Sequence, residues 1–533
     1  MAPTSTTTTA TNPLPRRVRT LLRLLRSSKD VDATKASNKL AAVIETAATT
    51  DMLSNGCNKE KTAAQAAMSN GKSNDNTDDG AESAVIKELY DLFELSTEYL
   101  QKIMDHFVLE MQKGLDQEGA TVAMLPTFVT GKPTGKEKGR YLALDLGGTN
   151  LRVCEVDLKG YGEYEIHQQK YRVPPELKTG EMRDLCDFIA DSVDNFLTEK
   201  DIHPPQGDQI QLGFTFSFPV LQTGINRGVL KQWTKGFACK NAVNKDVVVM
   251  LQDAFLRKNL PVNISAIVND TVGTLMALGY SRPETGVAII LGTGTNACHY
   301  EKMSNIKKWT GGPVPFEDMV INTEWGAFDC ERLVLPMTVF DNKVDRESIN
   351  PRQQIFEKMI SGMYLGEVAR NCILQLVDRQ LLFGGLSSPE LNKQWSFETA
   401  YMSTMHTDTE LHLPETQHIL EGILGIPKTT LADRRIVKTV AELVGRRAAR
   451  LSGCGLAAVL KHCNLVNQEC TIAIDGSLFE HFPGFDKNMR QALNELFGQT
   501  AADKVKFSLA RDGSGLGAAI VAMIAHKAAI AKK

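Results

Sequence analysis

Residues 212–237 read LGFTFSFPVLQTGINRGVLKQWTKGF, and the first part of this stretch decides the fold class. From Ile210 to Phe218 every second residue is bulky and apolar, and the residues between are polar or small, a pattern that predicts a β-strand. Four more apolar runs predict buried strands: 141–144, 262–268, 287–291 and 471–474. Segments with helical spacing of apolar residues lie among these runs. The alternation predicts an α/β fold in which helices cover the sheets.

The composition is that of a chain that can bury a large core. Of 533 residues, 42% are hydrophobic and 23% are charged, which excludes wholesale disorder. The formal net charge of -3 predicts no nucleic-acid partner, and no apolar run approaches about 18 residues, so we expect no membrane span. The ten cysteines are scattered without a C-x-x-C pair. We therefore expect reduced thiols in an intracellular protein, not disulfides or zinc-binding cysteines.

The N-terminal part differs from the rest of the chain. Residues 1–81 contain no aromatic residue and are rich in Thr, Ser, Ala and Asn, which predicts a disordered extension. Within it, 16–29 forms a basic amphipathic pattern in a stretch that lacks acidic residues. Such a segment has the composition of a mitochondrial targeting or membrane-surface segment, and the alternative is a solvated tail with a chance amphipathic turn. We expect a cytoplasmic protein, with the mitochondrion or its outer surface as the alternative location.

Four glycine-rich turns follow apolar runs. They are DLGGTN at 145–150, GTGTN at 292–296, DGS at 475–477 and DGSGLG at 512–517. Glycines let backbone N–H groups approach an anion closely, and a helix N-terminus favours negative charge. None of the four fits G-x-x-x-x-G-K-[ST], which excludes a P-loop ATPase, and none fits the dinucleotide-binding fingerprint. Together they resemble a split cradle for a nucleotide.

The stretch 212–237 also resembles the signature of the hexokinase family, closest to the fungal hexokinases and glucokinases. Further motifs of that family occur in order at 145–150, 268–271, 292–296, 322–328, 356–362 and 512–517. The resemblance covers roughly 82–533. It implies a two-lobed actin-like ATPase (ribonuclease H-like) fold with a cleft between a small and a large domain. The implied small domain is 136–268 plus 513–533, and the implied large domain is 82–135 plus 269–512.

The resemblance implies ATP-dependent phosphorylation of a hexose, expected to be glucose, at its 6-hydroxyl, the first step of glycolysis. Asp270 would be the general base, and Lys235 would offset charge on the transferring phosphoryl group. The implied sugar contacts are Ser217, Thr234, Lys235, Asn269, Asp270, Asn296, Glu324 and Glu357. Carboxylates and amides suit a polyol because they accept from and donate to vicinal hydroxyls.

The resemblance also implies the ATP site and its metal. The implied ATP contacts are Asp145, Gly147, Gly148, Thr149, Asn150, Arg152, Thr293, Gly294, Ser514 and Gly515. Mg²⁺ would arrive with ATP and lie near Asp145 and Asp270 through water, without a direct protein ligand. The expected partners are therefore the sugar and ATP.

Two other functions stay open from the sequence. One is a sugar-sensing regulator that keeps the fold and the sugar pocket, and the other is a different actin-like sugar or polyol kinase. The presence of Asp270, Lys235 and both phosphate turns favours an enzyme, because a pure sensor would be free to lose them. The stretch 212–237 counts against another sugar or polyol kinase.

Overall fold

The computed structural model describes residues 78–204, 207–233, 236–312, 316–510 and 513–531. They lie in one compact unit, Asn76–Lys533. The predicted amphipathic segment 16–29 and most of the predicted extension 1–81 lie outside the described residues. Helix α1 begins at Asp78, four residues before the predicted start of the globular part.

The strands of the described residues form two large sheets and one hairpin. They are β1 (Leu125–Thr130), β2 (Lys138–Leu146), β3 (Asn150–Gly160), β4 (Glu163–Arg172), β5 (Ile210–Phe216), β6 (Val220–Gly224), β7 (Arg227–Leu230), β8 (Val262–Val268), β9 (Thr285–Leu291), β10 (Thr295–Lys302), β11 (Asp318–Asn322), β12 (Cys470–Asp475) and β13 (Val505–Leu509). All four additional runs that predicted strands are strands in the structure.

Helices cover both large sheets. The α-helices of the described residues are α1 (Asp78–Phe93), α2 (Thr97–Asp116), α3 (Pro175–Thr179), α4 (Met182–Glu199), α5 (Val247–Arg257), α6 (Asp270–Ser281), α7 (Val339–Glu347), α8 (Ile355–Ile360), α9 (Gly362–Asp378), α10 (Pro389–Asn392), α11 (Thr399–Thr407), α12 (Pro414–Gln417), α13 (Leu431–His462), α14 (Ser477–His481), α15 (Phe485–Phe497), α16 (Gln499–Ala502) and α17 (Gly513–Ala531). Three-residue helical turns lie at Met303–Asn305, Trp325–Ala327 and Phe383–Gly385, and a six-residue π-helix lies at His418–Ile423.

Each of the two large sheets contains both parallel and antiparallel strand pairs. The five-stranded sheet has the order β4-β3-β2-β5-β8, in which β2, β3 and β4 are antiparallel neighbours and β2, β5 and β8 run parallel. The six-stranded sheet has the order β1-β11-β10-β9-β12-β13, with antiparallel pairing up to β9 and parallel pairing from β9 to β13. The five-stranded sheet falls within the predicted small domain, and the six-stranded sheet falls within the predicted large domain. The domain boundaries themselves stay a prediction.

Strand β5 is buried on both faces, which its alternating sequence did not predict. Phe214 and its apolar neighbours pack into one core cluster on one face. On the other face, a Cβ at Gly213 would lie 2.0 Å from the Ala518 carbonyl oxygen, and Thr215 donates to the Ser514 carbonyl oxygen at 2.9 Å. The small residues of β5 therefore make room for α17. The strand ends at Phe216, two residues earlier than the alternation predicts.

The C-terminal helix α17 corrects the expectation about apolar length. Its 18-residue stretch Gly513–Ile530 is long and apolar enough to cross a membrane by length and composition, so the expectation that no stretch reaches that length was wrong. However, 61% of this stretch is buried inside the protein. Its apolar side chains share a core cluster with residues of β2, β8 and α6. In this fold the stretch is a core helix that packs against the five-stranded sheet.

Candidate active site

A cavity of about 740 Å³ opens where the strand ends of both sheets meet. Its walls include Phe216 and Phe218 beside the five-stranded sheet, and Asn322 at the end of β11 in the six-stranded sheet. Two predicted sugar contacts, Asn269 and Glu324, also line it. The cavity therefore combines apolar rings with amide and carboxylate groups, as a sugar site requires.

Asp270 is the first residue of α6, directly after β8. Asn269 caps this helix, and its side chain accepts a hydrogen bond from the Thr271 N–H at 2.9 Å. The Asp270 Oδ1 accepts from the same N–H at 2.8 Å. These bonds fix the carboxylate at a helix N-terminus, where the helix dipole favours negative charge. The local sequence therefore places a half-buried carboxylate, fixed by a hydrogen bond from the Thr271 N–H, next to the cavity.

A second polar group lies at the end of β11 and the start of β10. The Asn296 amide donates to Asn322 Oδ1 at 2.7 Å and lies 3.4 Å from Glu324 Oε1, which also accepts from Asn322 Nδ2 at 2.8 Å. Glu324 has φ 52°, a left-handed conformation that is rare outside glycine and is often found at functional sites. Asn322 was not predicted as a site residue, although it immediately precedes the Thr-Glu pair in the motif 322–328.

Glu357 lies on α8 and supports the glycine-rich turn 292–294. Its Oε2 accepts from the Thr295 N–H at 3.0 Å. A Cβ at Gly294 would lie 2.8 Å from the same oxygen, so the close approach of the carboxylate requires a glycine there. The Gly292 carbonyl oxygen also accepts from the Gly362 N–H at 2.8 Å, which fixes the turn against the start of α9. Thr293 is exposed at its tip.

The other predicted phosphate turn closes the β2–β3 hairpin. The Gly147 N–H donates to the Asn150 carbonyl oxygen at 3.0 Å, and Lys178 Nζ donates to the Gly148 carbonyl oxygen at 2.8 Å. Thr149 and Asn150 are exposed, so their side chains can contact a ligand.

Asp145 links this hairpin to the start of α17. Its Oδ2 lies 2.7 Å from an Arg152 guanidinium nitrogen and accepts from Ser514 Oγ at 2.8 Å. Gly515 lies in the same first turn of α17, where an added Cβ would approach Cys154 Sγ at 3.3 Å. The structure thus brings together the predicted ATP contacts 145–152 and 514–515.

Asp475 is a third acidic residue of this region, and sequence reasoning did not assign it a role. It is the last residue of β12 and the first residue of the glycine-rich turn 475–477. Burial is the main cause that raises the pKa of its carboxyl, and the charges of Asp270 and Asp145 raise it further, against Gly476 N–H and Arg152, which lower it. The three carboxyls therefore act on one another. Oxygen ligands of this kind suit a hydrated Mg²⁺.

Replacing Asp475 by asparagine is expected to stabilise the ligand-free protein at neutral pH. A carboxyl whose pKa is raised on folding favours the folded state at low pH, and this contribution is lost as the pH rises through the folded-state pKa. The neutral amide removes that loss. Thermal unfolding of wild type and Asp475→Asn from pH 3 to pH 8 should show a stability gap that favours the variant and grows with pH. A gap that is constant with pH would contradict this explanation.

Of the predicted sugar contacts that remain, the structure describes Ser217 but not Thr234 or Lys235. Ser217 directly follows β5 and is half-buried beside the cavity-lining Phe216 and Phe218. Thr234 and Lys235 lie outside the described residues, so their predicted roles stay predictions.

Comparison with known proteins gives a consistent result over most of the chain. Two family models, both described as Hexokinase, match residues 85–280 and 286–524. Hexokinase-1 of Saccharomyces cerevisiae is 41% identical over 450 residues, which is 83% of this chain and 92% of that protein. Hexokinase-5 of Oryza sativa subsp. japonica is 43% identical over 454 residues, covering 83% and 89%.

A solved structure agrees with these relatives. The hexokinase from Schistosoma mansoni complexed with glucose superposes with a TM-score of 0.75 at 36% identity, over 83% of this chain and 99% of that one. This likeness confirms the predicted α/β fold of the actin-like ATPases. The chain belongs to the hexokinase family.

Proposed function

We propose that this protein transfers the γ-phosphoryl group of MgATP to the 6-hydroxyl of a hexose, with glucose as its main substrate. The observation that carries the proposal is the position of Asp270, a carboxylate fixed at the start of α6 directly after Asn269, which lines the polar cavity. A bond forms between the sugar oxygen and the γ-phosphorus, the bond from that phosphorus to the ADP oxygen breaks, and the hydroxyl proton passes to Asp270. The relatives named hexokinase support the same reaction.

The sugar would be held by carboxylates and amides that the fold has already oriented. Asn296, Asn322 and Glu324 form one connected hydrogen-bond group, and Asn322 and Glu324 line the cavity, so these side chains are oriented before the sugar arrives. Glu357 is held by the Thr295 N–H. Such preorganisation lowers the entropy lost on binding and fixes which hydroxyl faces Asp270.

The nucleotide would bind across the two turns at 145–150 and 292–296. Backbone N–H groups and the exposed side chains of Thr149, Asn150 and Thr293 can donate to phosphate oxygens. Lys235 is proposed to offset charge on the transferring group. When bound, Mg²⁺ neutralises part of the phosphate charge, and Asp145 and Asp270 are the residues that would hold its water shell.

The first test is sugar-dependent ATP consumption by the full chain. We expect ADP formation to require Mg²⁺ and to follow the concentration of glucose, with mannose and fructose assayed in parallel to define the substrate range. Glucose binding measured by calorimetry with no ADP formation would contradict the kinase and favour the sugar-sensing regulator. ADP formation with a non-hexose polyol but not with hexoses would favour another sugar or polyol kinase.

Replacing Glu357 by glutamine is expected to raise the KM for glucose about 10-fold, because a charged acceptor of a sugar hydroxyl becomes a neutral one. The glutamine carbonyl oxygen can still accept from the Thr295 N–H, so the turn 292–294 should keep its position. Steady-state kinetics at saturating ATP measures the effect. The exposed Glu331→Gln is the matched control, and an equal KM in both variants would contradict a sugar contact by Glu357.

For location, we propose a cytoplasmic enzyme. The alternative is that the basic segment 16–29 directs the protein to the mitochondrion or its outer surface. This proposal rests on the sequence pattern alone, since these residues lie outside the described ones. Fusion of residues 1–40 to a fluorescent reporter tests it. A diffuse cytosolic signal would reject targeting by this segment.

A further inference from the structure

Away from the sugar cavity, three ligand-type side chains converge between β10 and the end of α13. They are His299, Glu301 and His462, and one ligand atom of each lies within 4.8 Å of the other two. His299 and Glu301 are two residues apart on β10, so they share one face of the strand. His462 is the last residue of α13. The three side chains are at most 7% exposed.

The two faces of β10 pack into different core clusters, and His299 and Glu301 lie on the face toward α13. Cys298 packs in the core cluster that contains α17, whereas Ala297, on the same face as His299, packs in the cluster that contains the buried residues of α13. Along the strand, His299 is about 10 Å from Asn296 of the sugar group, at ~3.4 Å per residue. The three residues are therefore outside the proposed catalytic machinery.

His299 presents an unused ring nitrogen to this group. Its Nδ1 lies 3.0 Å from the Tyr300 carbonyl oxygen, which assigns the ring proton to Nδ1. Its Nε2 is fully buried and has no hydrogen-bond partner among the described residues. Buried polar atoms are almost always satisfied, so an orphaned lone pair of this kind calls for a ligand. A backbone carbonyl that holds one ring nitrogen is also the usual support of a histidine that binds metal through the other.

Glu301 and His462 complete the donor set. Glu301 Oε1 accepts from Asn305 Nδ2 at 2.6 Å and from the Lys302 N–H at 3.0 Å, while Oε2 lies 2.7 Å from His462 Nε2. The His299 and His462 rings are 5.4 Å apart between centroids, in an edge-to-face arrangement. The carboxylate is thus fixed by its first oxygen, and its second oxygen contacts the His462 imidazole.

We propose that His299, Glu301 and His462 form a buried site for Zn²⁺ that fastens β10 to the C-terminal end of α13. Two imidazole nitrogens and one carboxylate oxygen are a known three-ligand set for tetrahedral zinc, with water in the fourth position. Ligand atoms of such a site are about 3.3 Å apart, so the pair of Glu301 and His462 opens by roughly half an ångström when the ion replaces the shared proton.

Equilibrium dialysis of the metal-free full chain against buffered Zn²⁺, without nucleotide, tests the proposal. We expect one Zn²⁺ per chain, and at least ~100-fold weaker binding in His299→Gln and in His462→Gln. The matched control is His203→Gln, because His203 also lies beside a carboxylate, Asp201, at 3.2 Å but is exposed. This control should bind Zn²⁺ like wild type.

A second measurement does not depend on the variants being folded. Co²⁺ bound to the wild-type chain should give the intense visible absorption of a four-coordinate site, and Zn²⁺ should displace it. Absence of stoichiometric Zn²⁺ binding by wild type, or equal binding in His299→Gln and wild type, would overturn the proposal. The three residues would then be a buried ion pair with a neighbouring histidine.

Discussion

Replacing Asp270 by asparagine is expected to lower kcat for glucose at least ~10²-fold, the range in which a positioned general base contributes. The asparagine side-chain oxygen can still accept from the Thr271 N–H, so the start of α6 should stay folded. The amide cannot take the hydroxyl proton at neutral pH. Steady-state kinetics with saturating glucose and MgATP measures kcat, and calorimetry of glucose binding shows whether the sugar site is intact.

The control for this variant is Asp184→Asn. Asp184 is also an acidic residue in the first turn of a helix, α4, but it is exposed, and its sequence neighbours do not line the cavity, whereas Asn269 beside Asp270 does. It should leave kcat unchanged. If Asp270→Asn bound glucose normally and turned over like wild type, the assignment of the base would be wrong.

The second large effect is expected from Gly517→Ala, which should lower the free energy of unfolding by about 3 kcal/mol. A Cβ at Gly517 would lie 1.9 Å from the Gly273 carbonyl oxygen, so α17 and α6 must separate to accept it. Alanine is the better helix former by about 1 kcal/mol, and that gain is smaller than the cost of the overlap. Urea unfolding measures the difference. Because α6 begins with Asp270, we also expect lower activity.

Gly80→Ala is the matched control for that substitution. Gly80 also lies in a helix, α1, but a Cβ there would have no atom within 4 Å among the described residues. Alanine should be neutral or slightly stabilising at this position. Equal unfolding free energies for the two alanine variants would show that the contact between α6 and α17 is not as tight as the structure has it.

Much of this architecture could be predicted because its cause is local. Apolar runs at 262–268 and 471–474 fold as strands. The motif at 268–271 places Asp270 at a helix start, since Asn269 is a good cap. The roles given to individual residues nevertheless came from the family resemblance, and for Lys235 nothing in the described residues adds to it.

What could not be predicted depends on contacts that are distant in the sequence. Asp475 comes near Asp270 only because β12 pairs with β9, and His462 meets Glu301 only because the long α13 ends beside β10. The edge strand β13 was missed although Val505–Leu509 alternates apolar with polar residues, because it is only five residues long and mostly not buried. The burial of both faces of β5 likewise depends on α17, about 300 residues later in the chain.

The identity and amount of the product test the central claim most directly. The full chain should convert glucose and MgATP to ADP and a sugar phosphate in a one-to-one ratio, and phosphorus and proton NMR should place the phosphate on the 6-oxygen. This is the result expected if the glucose 6-hydroxyl faces Asp270 and the two phosphate turns present the γ-phosphoryl group. ADP formed without sugar phosphate, or phosphate on another hydroxyl, would contradict the account.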